Sequence, residues 1–161
     1  MEKLVDVGSE RAVLAGIFTY GSRAYVEVDE LCHPHTFTVD SNQIIYKCFQ
    51  YFFMEAKEGD RPDIASIYAA SKVIGHEGFF DNADEKKYLR SLVNFPVNAE
   101  SIRKLAGRLR KLEFARELYN EAILVQQDVG NITGDESIGK ILSLAEDRFT
   151  GFADRMGVTG D

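Results

Sequence analysis

The sequence has no tryptophan, three prolines and two cysteines, Cys32 and Cys48, in 161 residues. Two cysteines are too few to staple a secreted scaffold. No charged start followed by an apolar run marks a leader, so a reducing cytoplasmic setting is expected. Long apolar runs are also missing. The most apolar stretch, residues 44–53, is broken by Lys47 and Gln50 and falls short of the about 20 residues that a membrane helix needs, which predicts a soluble chain with no membrane partner. Positive charge is in deficit: 19 Lys and Arg against 26 Asp and Glu leave a net charge of −7. Phosphate binding over the whole surface is thereby disfavoured, although a local basic patch remains open.

Catalytic signatures are absent too. There is no Gly-x-x-x-x-Gly-Lys-Ser/Thr loop, and Gly130-Asn131-Ile132-Thr133-Gly134 lacks the lysine that would reach a phosphate. No Gly-x-Ser-x-Gly elbow or His-Glu-x-x-His zinc helix occurs. This chain alone is therefore expected to be neither an enzyme nor a cofactor binder. Cys32-His33-Pro34-His35 places a thiol and two imidazoles within four residues but lacks a second matched pair. His76 fits no familiar spacing, and Cys48 lies on an apolar helix face, where a free thiol behaves as a small hydrophobe. No metal site is expected. Solvation and helix capping account for the carboxylates at Glu27, Asp29 and Glu30 and at Glu55, Glu58, Asp60 and Asp63.

What is present is helical pattern. With 45% hydrophobic and 11% aromatic residues, the chain has enough to bury a core. Ser9 offers an N-cap to a helix carrying Val13, Leu14, Ile17 and Phe18, with Gly21 as its stop. Tyr25, Val26, Val28 and Leu31 admit either a strand or a helix. Asp40 or Ser41 can cap a core helix in which Ile44, Ile45, Cys48, Phe49, Phe52 and Phe53 form a wide apolar face. Asp63 can cap the segment of Ile64, Ile67 and Tyr68, and Asp84 can open a shorter helix with Tyr88, Leu89 and Leu92. Pro96 ends this region.

Beyond Pro96 the apolar residues Ile102, Leu105, Leu109, Leu112, Tyr119 and Ile123 follow alternating steps of three and four, with Arg116 the one break in the seam, the mark of one long, narrow-striped helix. Thr133-Gly134-Asp135-Glu136 has the form of a capping box that would start a second long helix bearing Ile138, Ile141, Leu142, Ala145, Phe149 and Phe152. The expected architecture is all-α: a compact helical body over residues 1–97, a protruding antiparallel helical hairpin over 98–155, and the start of a linker at 156–161. Such a hairpin cannot bury both its seam and its outer flank of Phe114, Leu118 and Val125. It should pair with another chain, unless it folds back on the body. The candidate oligomer interface is Ile102, Leu105, Leu109, Leu112, Tyr119 and Ile123, with Ile138, Leu142 and Phe149. Arg103, Arg108, Arg110 and Lys111, with Lys104 and Arg116, form a basic flank. Glu113 and Glu117 lie close enough to pair with it and no aromatics interleave, so a solvated or protein-docking flank is favoured over nucleic-acid binding.

In their order along the chain these motifs resemble the N-terminal domain of the DnaB-type hexameric replicative DNA helicases. Glu10-Arg11-Ala12-Val13-Leu14-Ala15-Gly16-Ile17 is similar to the family's opening helix. Leu31, Pro34 and Phe37 resemble the loop that follows, and Ile44-Ile45-Tyr46 its core helix. Pro62-Asp63, Tyr88-Leu89 with Leu92, Pro96 with Asn98, Ala115-Arg116-Glu117-Leu118 and Ala145-Glu146 continue in family order. Asp84-Glu85 and Asn42-Gln43 depart from the usual residues, as in a divergent or phage-borne member.

The resemblance implies a helical collar that forms dimers and hexamers, stabilises the ring and docks a primase or helicase loader during replication. It also implies that ATP and Mg chemistry and DNA contact belong to a RecA-like motor domain that the 161 residues do not include, the chain reading as a piece ending near the linker. Two other readings stand beside it. One is a free-standing helical adaptor or loader-like protein; the other is a single-stranded nucleic-acid binder using the basic flank.

Overall fold

Asp6, rather than Ser9, caps the first helix of the computed structural model, which describes residues 2–158. Its carboxylate accepts hydrogen bonds from the Ser9 backbone N–H (3.0 Å) and hydroxyl (2.7 Å), satisfying an amide that the helix leaves free. Helix α1 then runs over Val7–Tyr20 and stops at Gly21, whose φ of 68° is left-handed. A Cβ at Gly21 would also stand 2.5 Å from the Asp60 carbonyl oxygen, so glycine is required there twice over.

The segment that admitted two readings is helix α2, Ser22–Asp29. Ala24 and Val28, four residues apart, are buried while Val26 between them is exposed, which is helical and not strand periodicity. Helix α3 spans Asp40–Phe53, with Val39 at the cap position and Asp40 in the first turn, where its charge complements the helix dipole. Its residues Ile44, Ile45, Cys48 and Phe49 are buried, and Phe49 meets Phe18 of α1 edge to face at 4.9 Å.

Asp63 caps helix α4, Ile64–Val73, through a reciprocal box with Ser66. Helix α5, Ala83–Val93, is capped by Asn82, whose side chain accepts from the amides of Asp84 and Glu85. Asp84 thus lies in the first turn, two residues after the cap, of the helix that it was expected to open. Helix α6 covers Ala99–Gly130 and helix α7 covers Ile138–Arg155, and every regular element among the described residues is helical.

Residues 2–111 form one compact unit and the chain from Leu112 onward another, with α6 contributing to both. The expected linker end at 159–161 lies outside the described residues. In the first unit the opening of α6 belongs to the core. Gly16 of α1 lets it approach, since a Cβ there would sit 2.5 Å from Ile102 Cδ1. Ile102, Ala106 and Leu109 are at most 2% exposed.

The first unit also holds a polar anchor. Glu10, 1% exposed, accepts from the Thr38 amide (3.1 Å), the Thr38 hydroxyl (2.6 Å) and the Asn42 side-chain amide (3.0 Å). Tyr88 of α5 in turn donates to Asn42, so one network ties α1, α3 and α5.

Candidate assembly interface

The second unit is built from the later part of α6 and from α7, joined by a turn at residues 131–137. Thr133 and Glu136 do bond, but in one direction, the Thr133 amide and hydroxyl both donating to the Glu136 carboxylate. That bonding shapes the turn rather than starting the helix. Ser137 caps α7 instead, accepting from the Lys140 amide at 3.1 Å. Four amide or hydroxyl donors hold the Glu136 carboxyl down at about 2, the Thr133 hydroxyl foremost.

The two helices run antiparallel, early α6 meeting late α7. Phe114 packs on Phe152 with ring centroids 5.3 Å apart. One and two heptads further along α6 the contacts turn ionic. Glu121, its side chain 8% exposed, pairs with Arg155 at 3.4 Å and Arg148 at 3.6 Å. Arg148 also pairs with Asp128 at 2.9 Å, and that bond, with Glu121 beside it, favours the charged guanidinium. The facing surfaces of α6 and α7 therefore hold a carboxylate and guanidinium ladder beside the aromatic contact, with half-buried Ile141 and Ala145 on the same line of α7.

A further set of apolar residues points elsewhere. Leu118 and Val129 on α6 are 39% and 42% exposed, and Ile138, Leu142 and Phe149 on α7 are 86%, 58% and 38% exposed. At 3.6 residues per turn, Leu118, Val125 and Val129 lie about 40–80° from the line of Phe114, Glu121 and Asp128. Ile138, Leu142 and Phe149 lie about 40–80° from Phe152 in the same sense. Because the helices are antiparallel, the two stripes share one side of the hairpin. Tyr119 and Ile123 are also exposed, on the opposite surface of α6 from the line that meets α7. The hairpin closes through ion pairs together with apolar contact, and carries further apolar side chains facing out.

The residues expected at the interface thus fall into three groups. Ile102, Leu105 and Leu109 are packed in or against the core of the first unit, which corrects that part of the seam: these side chains are already covered within one chain. Leu112 is half-buried at the start of the second unit. Tyr119, Ile123, Ile138, Leu142 and Phe149 remain exposed. Of the expected outer flank of Phe114, Leu118 and Val125, Phe114 instead belongs to the contact with α7, while Leu118 is exposed. The ionic ladder was missed. Glu121 with Asp128, and Arg148 with Arg155, each seven apart on one helix, were its signal.

The basic flank is partly spent within the first unit. Arg103 pairs with Glu30 at 2.8 Å and Arg108 with Asp6 at 2.6 Å, while Arg110 is half-buried and Lys111 exposed. Arg108, followed by the Ser9 donors, holds the Asp6 carboxyl down at about 2. The Cys-His stretch has local work: His33 Nδ1 accepts from the His35 amide at 3.3 Å, capping a short turn, and the buried Cys32 thiol lies 3.5 Å from the Ala106 carbonyl. Burial pushes the Cys48 thiol up to about 12. Among the described residues no three potential ligands gather as a metal cluster.

The model of the DnaB-like helicase N-terminal domain matches residues 2–111. The chain belongs to that family. The matched residues coincide with the first compact unit. The fold is also similar to the crystal structure of the N-terminal domain of DnaB helicase from Mycobacterium tuberculosis, with a TM-score of 0.70 and 18% identity over 92% of this chain and 98% of that one. That coverage reaches well past residue 111, so the helical likeness includes the hairpin. No curated protein matches the sequence. In this DnaB-like domain, no helix among the described residues is long and apolar enough to cross a membrane.

Proposed function

We propose that this DnaB-like domain is the assembly and docking collar of a replicative DNA helicase. It pairs with further copies of itself through the α6–α7 hairpin and offers a surface to a primase or helicase loader. In this reading the domain has no chemistry of its own. ATP hydrolysis with Mg and contact with DNA belong to a motor domain of the larger assembly, which acts in the cytoplasm.

One observation carries the reading. Exposed Leu118, Val129, Ile138, Leu142 and Phe149 share one side of the hairpin, away from the line on which α6 meets α7. Apolar surface left outward at helical spacing gains most by meeting the same surface on a second copy, which generates closed, isologous pairs. Arg103 and Arg108, engaged with Glu30 and Asp6, are poorly placed to serve as free phosphate contacts, which weighs against nucleic-acid binding by this domain. If a ring of such pairs has two packings, a partner that binds one better shifts the population toward it.

Light scattering across a concentration series tests the reading. A dimer or hexamer is expected, and a strict monomer at high concentration would favour a free-standing adaptor.

A further inference from the structure

Helices α3 and α4 leave an apolar groove in the first unit that takes no part in the contacts described so far. Tyr51, Phe52 and Met54 form its wall, Ala69 and Ala70 its floor, and Glu55 and Ser66 close one end around a volume of about 220 Å³. Met54 is 78% exposed and Tyr51 42%, and Val73, one turn beyond Ala69 and Ala70, is 61% exposed. The volume is below the ~300–1,000 Å³ typical of small-molecule sites, and the small floor residues let a helix approach closely. It suits one or two large side chains presented from outside.

Charge decides what presents them. Glu55 lines one end, and beside it Asp63 accepts from the Ser66 amide at 2.8 Å. The end of α3 lies beside the start of α4 and the two helices pack together, so they run in opposite senses. Lys47, one turn before Tyr51, and Lys72, three residues after Ala69, then stand at the other end. At the first end Glu55, Glu58, Asp60 and Asp63 outnumber Lys57 and Arg61, the latter donating to the Thr19 carbonyl, so the groove is net acidic there and basic at the other end.

We infer that it docks an amphipathic helix of a partner protein, with apolar residues at i, i+3, i+4 and i+7, acidic residues in one terminal turn and basic residues in the other. The acidic turn lies by Lys47 and Lys72, and the basic turn by Glu55 and Asp63. This names the chemistry of the docking partner and rests on the docking part of the function proposed above.

The test uses the intact chain, isotopically labelled, and a 15-residue helical peptide with leucines at that spacing, Glu in its first turn and Lys in its last. Saturable amide shifts are expected at residues 51–55 and 66–73. Ala69→Arg, at an exposed helical position, should weaken binding about tenfold or more while helix content and self-association stay as in the parent. A peptide with Lys in both end turns should bind several-fold less well, and Lys72→Glu should restore it. Shifts centred on the hairpin, binding indifferent to Ala69→Arg, or no saturable binding would each overturn the inference. Leu142→Asp, which tests the assembly reading, should leave peptide binding unchanged, so the two failures are distinguishable.

Discussion

Arg148 donates from Nε to the Asp128 carboxylate at 2.9 Å and so ties α7 to α6 across the hairpin. The same guanidinium reaches Glu121, whose side chain is 8% exposed and whose other cation is Arg155. Closing a hairpin with ions is weak where water screens them, but a carboxylate as covered as Glu121 depends on its partners.

Arg148→Ala should therefore loosen the hairpin, because it leaves Asp128 without its bonded cation and the covered Glu121 with Arg155 alone. Amide hydrogen exchange reads it locally: residues 115–128 and 141–155 should exchange faster, while residues 13–17 and 44–49 keep their protection.

Leu109, 2% exposed, belongs to the core of the first unit despite lying on the long seam. Leu109→Ala should lower stability by about 2–5 kcal/mol in chemical denaturation. Loss of association in a Leu109 variant would follow from damage to the fold rather than from a broken interface.

Gly16 meets Ile102 closely enough that one methyl group is felt. With an added Cβ 2.5 Å from Ile102 Cδ1 and 2.8 Å from Cγ1, Gly16→Ala should cost about 1–3 kcal/mol. Combining it with Ile102→Val should cost less than the two changes summed, a coupling that denaturation of the double mutant measures.

Asp6 sets an acid limit on the start of α1. Its pKa is about 2 in the folded chain against an ordinary 3.8, so its contribution is fully present above pH 4 and is lost as pH falls through about 2. Asp6→Ala should cost about 1 kcal/mol at neutral pH, from the lost cap, and the difference from the parent should vanish near pH 2. Denaturation at a series of pH values checks it.

Helix content and order were legible in the sequence because apolar spacing of three and four survives wherever a helix buries one side. Ile44 through Phe49 and the Asp63 box are clear cases. Caps were less legible. Asp6, Ser9, Asn82 and Asp84 are all competent, and the choice depends on where the chain enters the helix, which a local pattern does not specify.

The interface was half legible. A single stripe from Ile102 to Ile123 looks continuous, yet its first residues pack into the body while Tyr119 and Ile123 stay outside. Neither the boundary near Lys111 nor the inward turn of Glu121 leaves a mark in hydrophobic periodicity. The family resemblance rested on motifs spread along both units, and the family match itself covers residues 2–111.

The central claim is that the outward apolar side of the hairpin joins copies of this chain. Light scattering of the parent and of Leu142→Asp, across the same concentration series and with helix content monitored by circular dichroism, tests it most directly. Leu142 is 58% exposed in the single chain, so the substitution spares the fold. The account predicts a parent that associates and a helical variant that is monomeric. A variant as oligomeric as the parent would contradict it.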